Sequence, residues 1–334
     1  MTDSSRFRVL ITDYAWDSLD IERRALGLVG AELLVADTGD EAELVALAPQ
    51  ADAILTNWKR VTPAVLDASP RCRIVSRYGV GVDNIAVNHA TELGIIVTNV
   101  PDYCVEEVSD HALALLMACA RSIPAYDRTM QQGRWDLPAG KPMYRMRGRT
   151  LGLVGYGRIG QALADKAKGI GLRVLAHTPD IEEGERDGVT CTRNLTWLLS
   201  ESDYVSLHTP LTDATRGMVN SDFLAQMRPG AFLINTARGA VIDEPALADA
   251  LARDVIRGAA LDVLSAEPPP ADHPLLGLPN CLITPHCAFT SVESLEELQQ
   301  RASAHVALAL QGELPPHVVN PAVLNAANLR VWAD

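Results

Sequence analysis

Residues 151–160, reading Leu-Gly-Leu-Val-Gly-Tyr-Gly-Arg-Ile-Gly, constrain the fold of this chain more than any other stretch. A short apolar run ends in Gly155-x-Gly157-x-x-Gly160, a helix-forming stretch follows at 161–168, and a second apolar run comes at 172–176. Gly155 lets a strand turn tightly. Gly157 has no Cβ, so a phosphate can approach the backbone, and Gly160 lets the new helix pack close to the strand. The helix N-terminus then offers free N–H groups and the positive end of its dipole to an anion. Set between strand and helix signals, this spacing predicts a dinucleotide-binding unit; the alternative is a glycine-rich turn in some other α/β protein.

At 334 residues the chain is long enough for two domains. Aromatic residues make up 5% of a chain that is 48% hydrophobic, so its cores must be mainly aliphatic. A net charge of −13 with no basic patch argues against a nucleic-acid partner and for a dispersed, cytoplasmic protein. Residues 1–7 are polar and carry no signal-peptide core. No apolar run reaches the roughly 18 residues that a membrane helix needs. The six cysteines, at 72, 104, 119, 191, 281 and 287, form no Cys-x-x-Cys pair, so neither a metal site nor a disulfide framework is expected.

Taken in order, strand-like runs at 8–12, 32–35, 53–56, 73–76 and 95–98 alternate with helical patterns at 40–48 and 63–68. Thr62 is the expected N-cap of the latter and Pro63 its first residue. This alternation implies a parallel sheet with helices on both faces. The unit has no phosphate loop, so it is expected to hold something other than the dinucleotide. A long amphipathic stretch at 105–121 reads as a helix leaving the first domain and packing between the two, and 133–149 reads as an irregular surface loop. Further strands are expected at 151–154, 172–176, 204–207, 232–235, 258–261 and 281–284, and a last helix at 293–310. The chain is expected to return to the first domain, which divides it into 1–101 with 292–334 and an intervening 102–291.

Three polar residues stand just after expected strand ends: Arg238, Glu267 and His286. Ligands of open α/β sheets bind outside the carboxyl ends of the strands. A guanidinium grips a carboxylate in bidentate fashion, and an imidazole gives or takes a proton near neutral pH. A carboxylate beside that imidazole holds its tautomer. Beside a nicotinamide the set suits reduction of a 2-keto acid, with Arg238 on the substrate carboxylate, His286 as proton donor and Glu267 orienting His286. Taken singly, each residue could be an ordinary loop side chain.

The chain resembles the D-isomer-specific 2-hydroxyacid dehydrogenase family. The resemblance rests on 76–85 (Ser-Arg-Tyr-Gly-Val-Gly-Val-Asp-Asn-Ile), the Gly155 loop, 207–212 (Leu-His-Thr-Pro-Leu-Thr), 235–239 (Asn-Thr-Ala-Arg-Gly), 262–268 and 284–286 (Thr-Pro-His), in family order over nearly the whole chain. Residues 100–103 and 286–291 are closest to its C-terminal-binding-protein-like branch. The resemblance implies two doubly wound α/β domains, one a Rossmann nucleotide-binding domain and one flavodoxin-like for substrate, closing on each other. It also implies a homodimer. For the cofactor it implies Arg158 and Ile159 at the pyrophosphate with Gly155, Gly157 and Gly160. It places His177 and Thr178 at the ribose, His208, Thr209 and Pro210 on the adenosine side, and Thr236, Ala237, Asp262 and Ala288 near the nicotinamide, with Arg238 and His286 also lining that site. Thr209 and Thr215 could instead cap or pack. For substrate it implies the amides near Val80 and Gly81; Asn57 and Trp58, ending a first-domain strand, are further expected contacts.

One departure concerns the cofactor. Members that prefer NAD usually carry an acidic residue where this chain has Thr178. No arginine follows closely, and Asp180, Glu182, Glu183 and Glu185 make the neighbourhood negative, so NAD is expected, with NADP possible and Arg186 the residue able to reverse this. Glu267 stands where formate dehydrogenases of this fold are expected to have glutamine, which argues against formate oxidation. A phosphite-type dehydrogenase, or a corepressor-like protein that senses NADH, would retain Arg238, Glu267 and His286. Because the chain ends at Asp334, control by an appended regulatory domain is not expected.

Overall fold

A computed structural model describes residues 7–332; the polar stretch at 1–6 lies outside the described residues. The chain divides into two compact units, Met1–Tyr103 with Ser291–Asp334, and Cys104–Thr290.

The first unit runs β1 (Phe7–Ile11), α1 (Asp20–Gly27), β2 (Ala31–Val35), α2 (Glu41–Leu47), β3 (Ala53–Thr56), α3 (Pro63–Asp67), β4 (Ile74–Arg77), α4 (Val87–Glu92) and β5 (Ile96–Thr98). The strands are parallel in the order β2-β1-β3-β4-β5, the flavodoxin-like winding. β3, β4 and β5 are buried along their whole length, as expected for a parallel sheet covered on both faces. Thr62 caps α3, its Oγ1 accepting the Val65 N–H at 3.4 Å, and Pro63 follows at a position where its missing N–H costs nothing.

The second unit runs α5 (Val105–Ala120), α6 (Ile123–Gln131), β6 (Thr150–Val154), α7 (Arg158–Gly169), β7 (Arg173–His177), β8 (Gly184–Arg186), β9 (Val189–Thr192), α8 (Leu195–Glu201), β10 (Tyr204–Leu207), α9 (Ser221–Gln226), β11 (Phe232–Asn235), α10 (Glu244–Ala252), β12 (Gly258–Leu261) and β13 (Cys281–Ile283). α11 (Val292–Leu310) then belongs to the first unit, where it packs on α1, β3 and β4. The second sheet has the order β13-β12-β11-β10-β6-β7-β9-β8, parallel except for the β8–β9 pair. The order reverses between β6 and β10, which is the topological switch point of a Rossmann sheet.

α5 packs on α7, and its Ala112, Leu115, Leu116 and Ala120 are buried in the aliphatic core of the second unit. It is a covering helix of that sheet, because its apolar face matches the sheet's. Residues 133–149 form the expected irregular, mostly exposed stretch, with one 3-10 turn at Leu137–Gly140; α6 precedes it and was not expected. The short helix α6 is opened by Ser122 in the left-handed region (φ 53°) and by Pro124.

Candidate active site

β11, β12 and β13 are adjacent and parallel, so their carboxyl ends lie along one edge. Arg238, Glu267 and His286 each follow one of these ends, and the sheet brings their loops together. His286 Nδ1 lies 2.6 Å from Glu267 Oε2, and Glu267 Oε1 accepts the Leu264 N–H at 2.9 Å. Burial alone would raise the Glu267 carboxyl. The hydrogen bond and charge interaction with His286 outweigh it, helped by the Leu264 N–H and Arg238, and hold the group below its ordinary value.

The backbone around each residue is tightly held. Asn235, fully buried at the end of β11, donates Nδ2 to the Arg238 carbonyl at 2.9 Å and accepts the Ala237 N–H at 2.9 Å. At Gly239 a Cβ would lie 1.9 Å from the Leu264 carbonyl carbon, so only glycine lets the Arg238 loop pass the Glu267 loop. His286 sits at φ 51°, a left-handed conformation that costs a non-glycine residue about 1 kcal/mol or more. Its N–H donates to the Asp262 carbonyl at 2.7 Å. The Asp262 carboxylate, 1% exposed, secures the same loop: Oδ1 accepts from Thr284 Oγ1 at 2.6 Å and Cys287 N at 3.0 Å, and Oδ2 from Ala288 N at 2.9 Å.

Three anchors were not singled out from sequence. Asn235 is one. Buried Glu244 is another: Oε1 accepts the Ser265 N–H at 2.7 Å, and Oε2 lies 3.1 Å from His273 Nε2, pinning the loop that carries Glu267. The third is Asp13, discussed below. No spacing rule finds the partners of Glu244 and Asp13, which are distant in sequence, whereas Asn235 bonds its own loop two and three residues on; a polar residue at or just past the end of an apolar strand was the available signal for Asn235 and Asp13.

The glycine loop fits a dinucleotide. Gly155 has φ +102°, and a Cβ there would meet the His208 carbonyl oxygen at 2.5 Å, so the loops after β6 and β10 abut at the switch point. Nothing lies within 4 Å of a Cβ built on Gly157, the N-cap of α7, which makes no side-chain capping bond. At Gly160 a Cβ would lie 2.6 Å from the Gly155 oxygen. Arg158 and Ile159 open α7 beside this space. The buried hydroxyls of Thr209 and Thr236 have no hydrogen-bond partner among the described residues. Two unsatisfied hydroxyls at neighbouring strand ends are what a polar ligand would satisfy.

The remaining expected cofactor residues divide. His177 ends β7 with Nδ1 3.0 Å from the Thr192 carbonyl, and half-buried Thr178 follows. His208 is tied to Ser206 Oγ at 2.9 Å, and burial pushes its imidazole down to about 4, so it is neutral. Pro210 is exposed; its carbonyl accepts from Thr215 Oγ1 at 2.6 Å, and Thr215 also accepts the Thr212 N–H at 2.8 Å. Those bonds make Thr215 a clamp of its own loop. Arg186 pairs with Glu182. Asn57, Trp58, Val80 and Gly81 lie in the first unit. There, at the switch point between β1 and β3, Asp13 accepts the N–H groups of Asn57, Trp58 and Lys59 at 3.0, 2.7 and 3.2 Å. Asn99 Nδ2 holds the Val80 carbonyl at 2.6 Å.

The sequence model of the D-isomer specific 2-hydroxyacid dehydrogenase NAD binding domain matches residues 113–288. A glyoxylate reductase from Korarchaeum cryptofilum is 44% identical over 265 residues, 78% of this chain and 80% of the relative. A D-3-phosphoglycerate dehydrogenase from Mycobacterium tuberculosis is 37% identical over 294 residues, 86% of this chain; the match spans 55% of that longer relative. The crystal structure of an NADPH-dependent glyoxylate/hydroxypyruvate reductase from Sinorhizobium meliloti, in complex with NADP and malonate, is similar with a TM-score of 0.83. It is 33% identical, and the match covers 95% of this chain and 98% of that one.

Proposed function

Because the chain belongs to the D-isomer-specific 2-hydroxyacid dehydrogenase family, we propose that Arg238, Glu267 and His286 are its catalytic residues. The protein is an NAD(P)-dependent oxidoreductase that interconverts a D-2-hydroxy acid and its 2-keto acid. The Glu267–His286 hydrogen bond, beside the loop of Arg238, is the observation that carries the assignment.

Arg238 binds the substrate carboxylate and polarises the keto oxygen. Glu267 accepts the Nδ1 proton of His286 in a hydrogen bond, so Nε2 is the nitrogen left to donate a proton to that oxygen. The bound nicotinamide supplies the hydride in reduction and accepts it in oxidation. The amide groups at the start of α7, with Gly155, Gly157, Arg158, Ile159 and Gly160, hold the pyrophosphate. Thr209 and Thr236 complete their hydrogen bonding on the cofactor. Asp262 keeps the loop that bears His286 and Ala288 in place. The first unit takes the substrate, through the amides at Val80 and Gly81 and through Asn57 and Trp58.

The substrate class is small 2-keto acids of the glyoxylate and hydroxypyruvate type, on the analogy of the reductases named above. NADH is the preferred cofactor: Asp180, Glu182, Glu183 and Glu185 follow Thr178 in the chain, and Arg186 pairs with Glu182. The protein works as a homodimer, a reading supported by the exposure of Ile123, Met130, Trp135 and Leu137 along α6 and the turn after it; Trp135 is 91% exposed. A reducing cytoplasm agrees with the free thiols of Cys72, Cys119, Cys191, Cys281 and Cys287, and the charge of −13 agrees with a protein that has no nucleic-acid or membrane partner. No helix among the described residues is long and apolar enough to cross a membrane.

The test is oxidation of NADH and NADPH, followed by absorbance, against 2-keto acids from glyoxylate to phenylpyruvate. Turnover with a small acid, faster with NADH, is expected. Tight NADH binding without turnover on any acid would instead support a cofactor-sensing protein, and turnover with phosphite alone would replace the substrate class.

A further inference from the structure

Beside the proposed catalytic loop, three side chains that sequence spacing did not connect come together. His111 projects from α5, Asp262 follows β12 and Cys287 follows β13. His111 Nε2 lies 3.5 Å from Asp262 Oδ1, Cys287 Sγ lies 3.6 Å from the same oxygen, and all three atoms are within 4.8 Å of one another. We propose that His111, Asp262 and Cys287 form a zinc site whose occupancy reversibly inhibits the enzyme by unseating the loop that carries His286.

The spacing is that of ligands around a single ion. With metal–nitrogen and metal–oxygen bonds of about 2.0–2.1 Å and a metal–sulfur bond of about 2.3 Å, tetrahedral ligands stand roughly 3.3–3.6 Å apart. Two of the three edges already have that length, so binding needs only modest closure of the His111–Cys287 edge. The donor set selects the ion. One imidazole, one thiolate and one carboxylate suit zinc or cadmium; calcium and magnesium take mainly oxygen ligands. Coordination takes the Sγ proton, which passes to solvent. Entry is open on one side, since the His111 side chain is 23% exposed while Asp262 is 1% exposed. A fourth position remains for water, as in zinc sites that are not fully enclosed by protein.

Inhibition follows from what Asp262 already does. Its Oδ1 accepts from the Thr284 hydroxyl and the Cys287 N–H, and the Thr284 hydroxyl also lies 3.0 Å from His111 Nε2. An ion on Oδ1 takes the lone pair that accepts the Thr284 hydroxyl, and an ion on Nε2 requires the His111 proton on Nδ1, which removes the Nε2–H that donates to Thr284. The 284–288 segment, which carries His286 in its left-handed conformation, then loses the bonds to Oδ1 and keeps only those to the Asp262 carbonyl and Oδ2. This inhibitory half rests on the proposed role of His286; the binding half does not.

The experiment treats the intact protein with zinc chloride and, separately, cadmium chloride. Equilibrium dialysis counts bound ion, the ultraviolet thiolate-to-cadmium charge-transfer band reports Cys287, and NADH oxidation with glyoxylate reports activity before and after EDTA. The wild type is expected to bind one zinc at micromolar concentration and to lose activity, with recovery on chelation. Cys287→Ala is expected to lose the band, and both Cys287→Ala and His111→Asn to need at least about tenfold more zinc for binding and for inhibition. Equal binding and inhibition in the wild type and Cys287→Ala would overturn the site, since zinc would then act elsewhere, for example on His286 or at the surface trio of His89, Asp67 and Glu92. No bound zinc in the wild type would overturn it as well. Loss of the ion in the variants with no inhibition in the wild type would overturn only the inhibitory half. A protein that binds zinc as expected but reduces no keto acid would leave the site standing and remove the proposed reaction.

Discussion

Glu267 holds His286 with one carboxylate oxygen, Oε2, at 2.6 Å from Nδ1, while its other oxygen, Oε1, is anchored on the Leu264 N–H at 2.9 Å. The imidazole is therefore oriented by a carboxylate that is itself fixed to backbone. Replacing His286 by Ala is expected to lower kcat by about 10²–10⁴, the usual contribution of a positioned proton donor, while a fluorescence titration still shows NADH binding. Glu267→Gln keeps a hydrogen-bonding group but removes the charge, and its kcat is expected to fall by about 10². Wild-type kcat in either variant would remove the pair from the mechanism.

The Arg238 carbonyl accepts from Asn235 Nδ2 at 2.9 Å, and its guanidinium Nη1 donates to the Ala237 carbonyl at 2.8 Å. A hydrogen-bonded charge pair is worth about 1.5–3 kcal/mol, so Arg238→Ala is expected to lower kcat/KM for glyoxylate by about 10- to 150-fold. Arg238→Lys keeps the charge but not the bidentate fork, and should recover only part of the loss. Steady-state kinetics of the three proteins decide it; an unchanged kcat/KM in Arg238→Ala would exclude a substrate-carboxylate clamp.

Thr178 stands at the end of β7, where a carboxylate would accept the ribose hydroxyls and repel a 2′-phosphate. Thr178→Asp is expected to raise the ratio of kcat/KM for NADH over NADPH by about tenfold or more, chiefly by weakening NADPH. If that ratio does not move, the ribose lies elsewhere than at this strand end.

His305 is 3% exposed within α11, and burial, with His317 and Arg301 nearby, pushes its imidazole down to about 4. An unfolded histidine titrates near about 6.5, so the folded chain binds fewer protons between those values. The stabilisation is complete above about pH 6.5 and is lost as pH falls toward 4, at most on the order of 3 kcal/mol. Chemical denaturation of the wild type between pH 7 and 4.5 should show this fall, and His305→Gln should flatten it. Parallel pH slopes for the two proteins would assign the acid sensitivity to other groups.

The glycine spacing at 155–160, the apolar runs of the parallel strands and the Thr62-Pro63 helix start were legible because each is a local rule. Backbone conformation and burial on both sheet faces act over a few residues, and the sequence carries them directly. The residues at Arg238, Glu267 and His286 were legible for a related reason: a polar residue just past an apolar strand in an α/β chain falls at the ligand edge. The nine-residue α6, with a proline in its first turn, and the three-residue strand β8 left no comparable local mark. α5 showed its apolar face, but the surface that face covers is a matter of packing, and it is the sheet of its own unit.

What the sequence by itself determined is the set of elements, their alternation and the chemistry available at the strand ends. Only the tertiary structure decided which distant groups meet: Glu244 on Ser265 and His273, and Asp262 on Thr284, Cys287 and Ala288. Sheet order and loop path set those pairings. A hydrogen bond depends on separations of about 3 Å in space, and one sequence constrains such distances only through the fold that it builds.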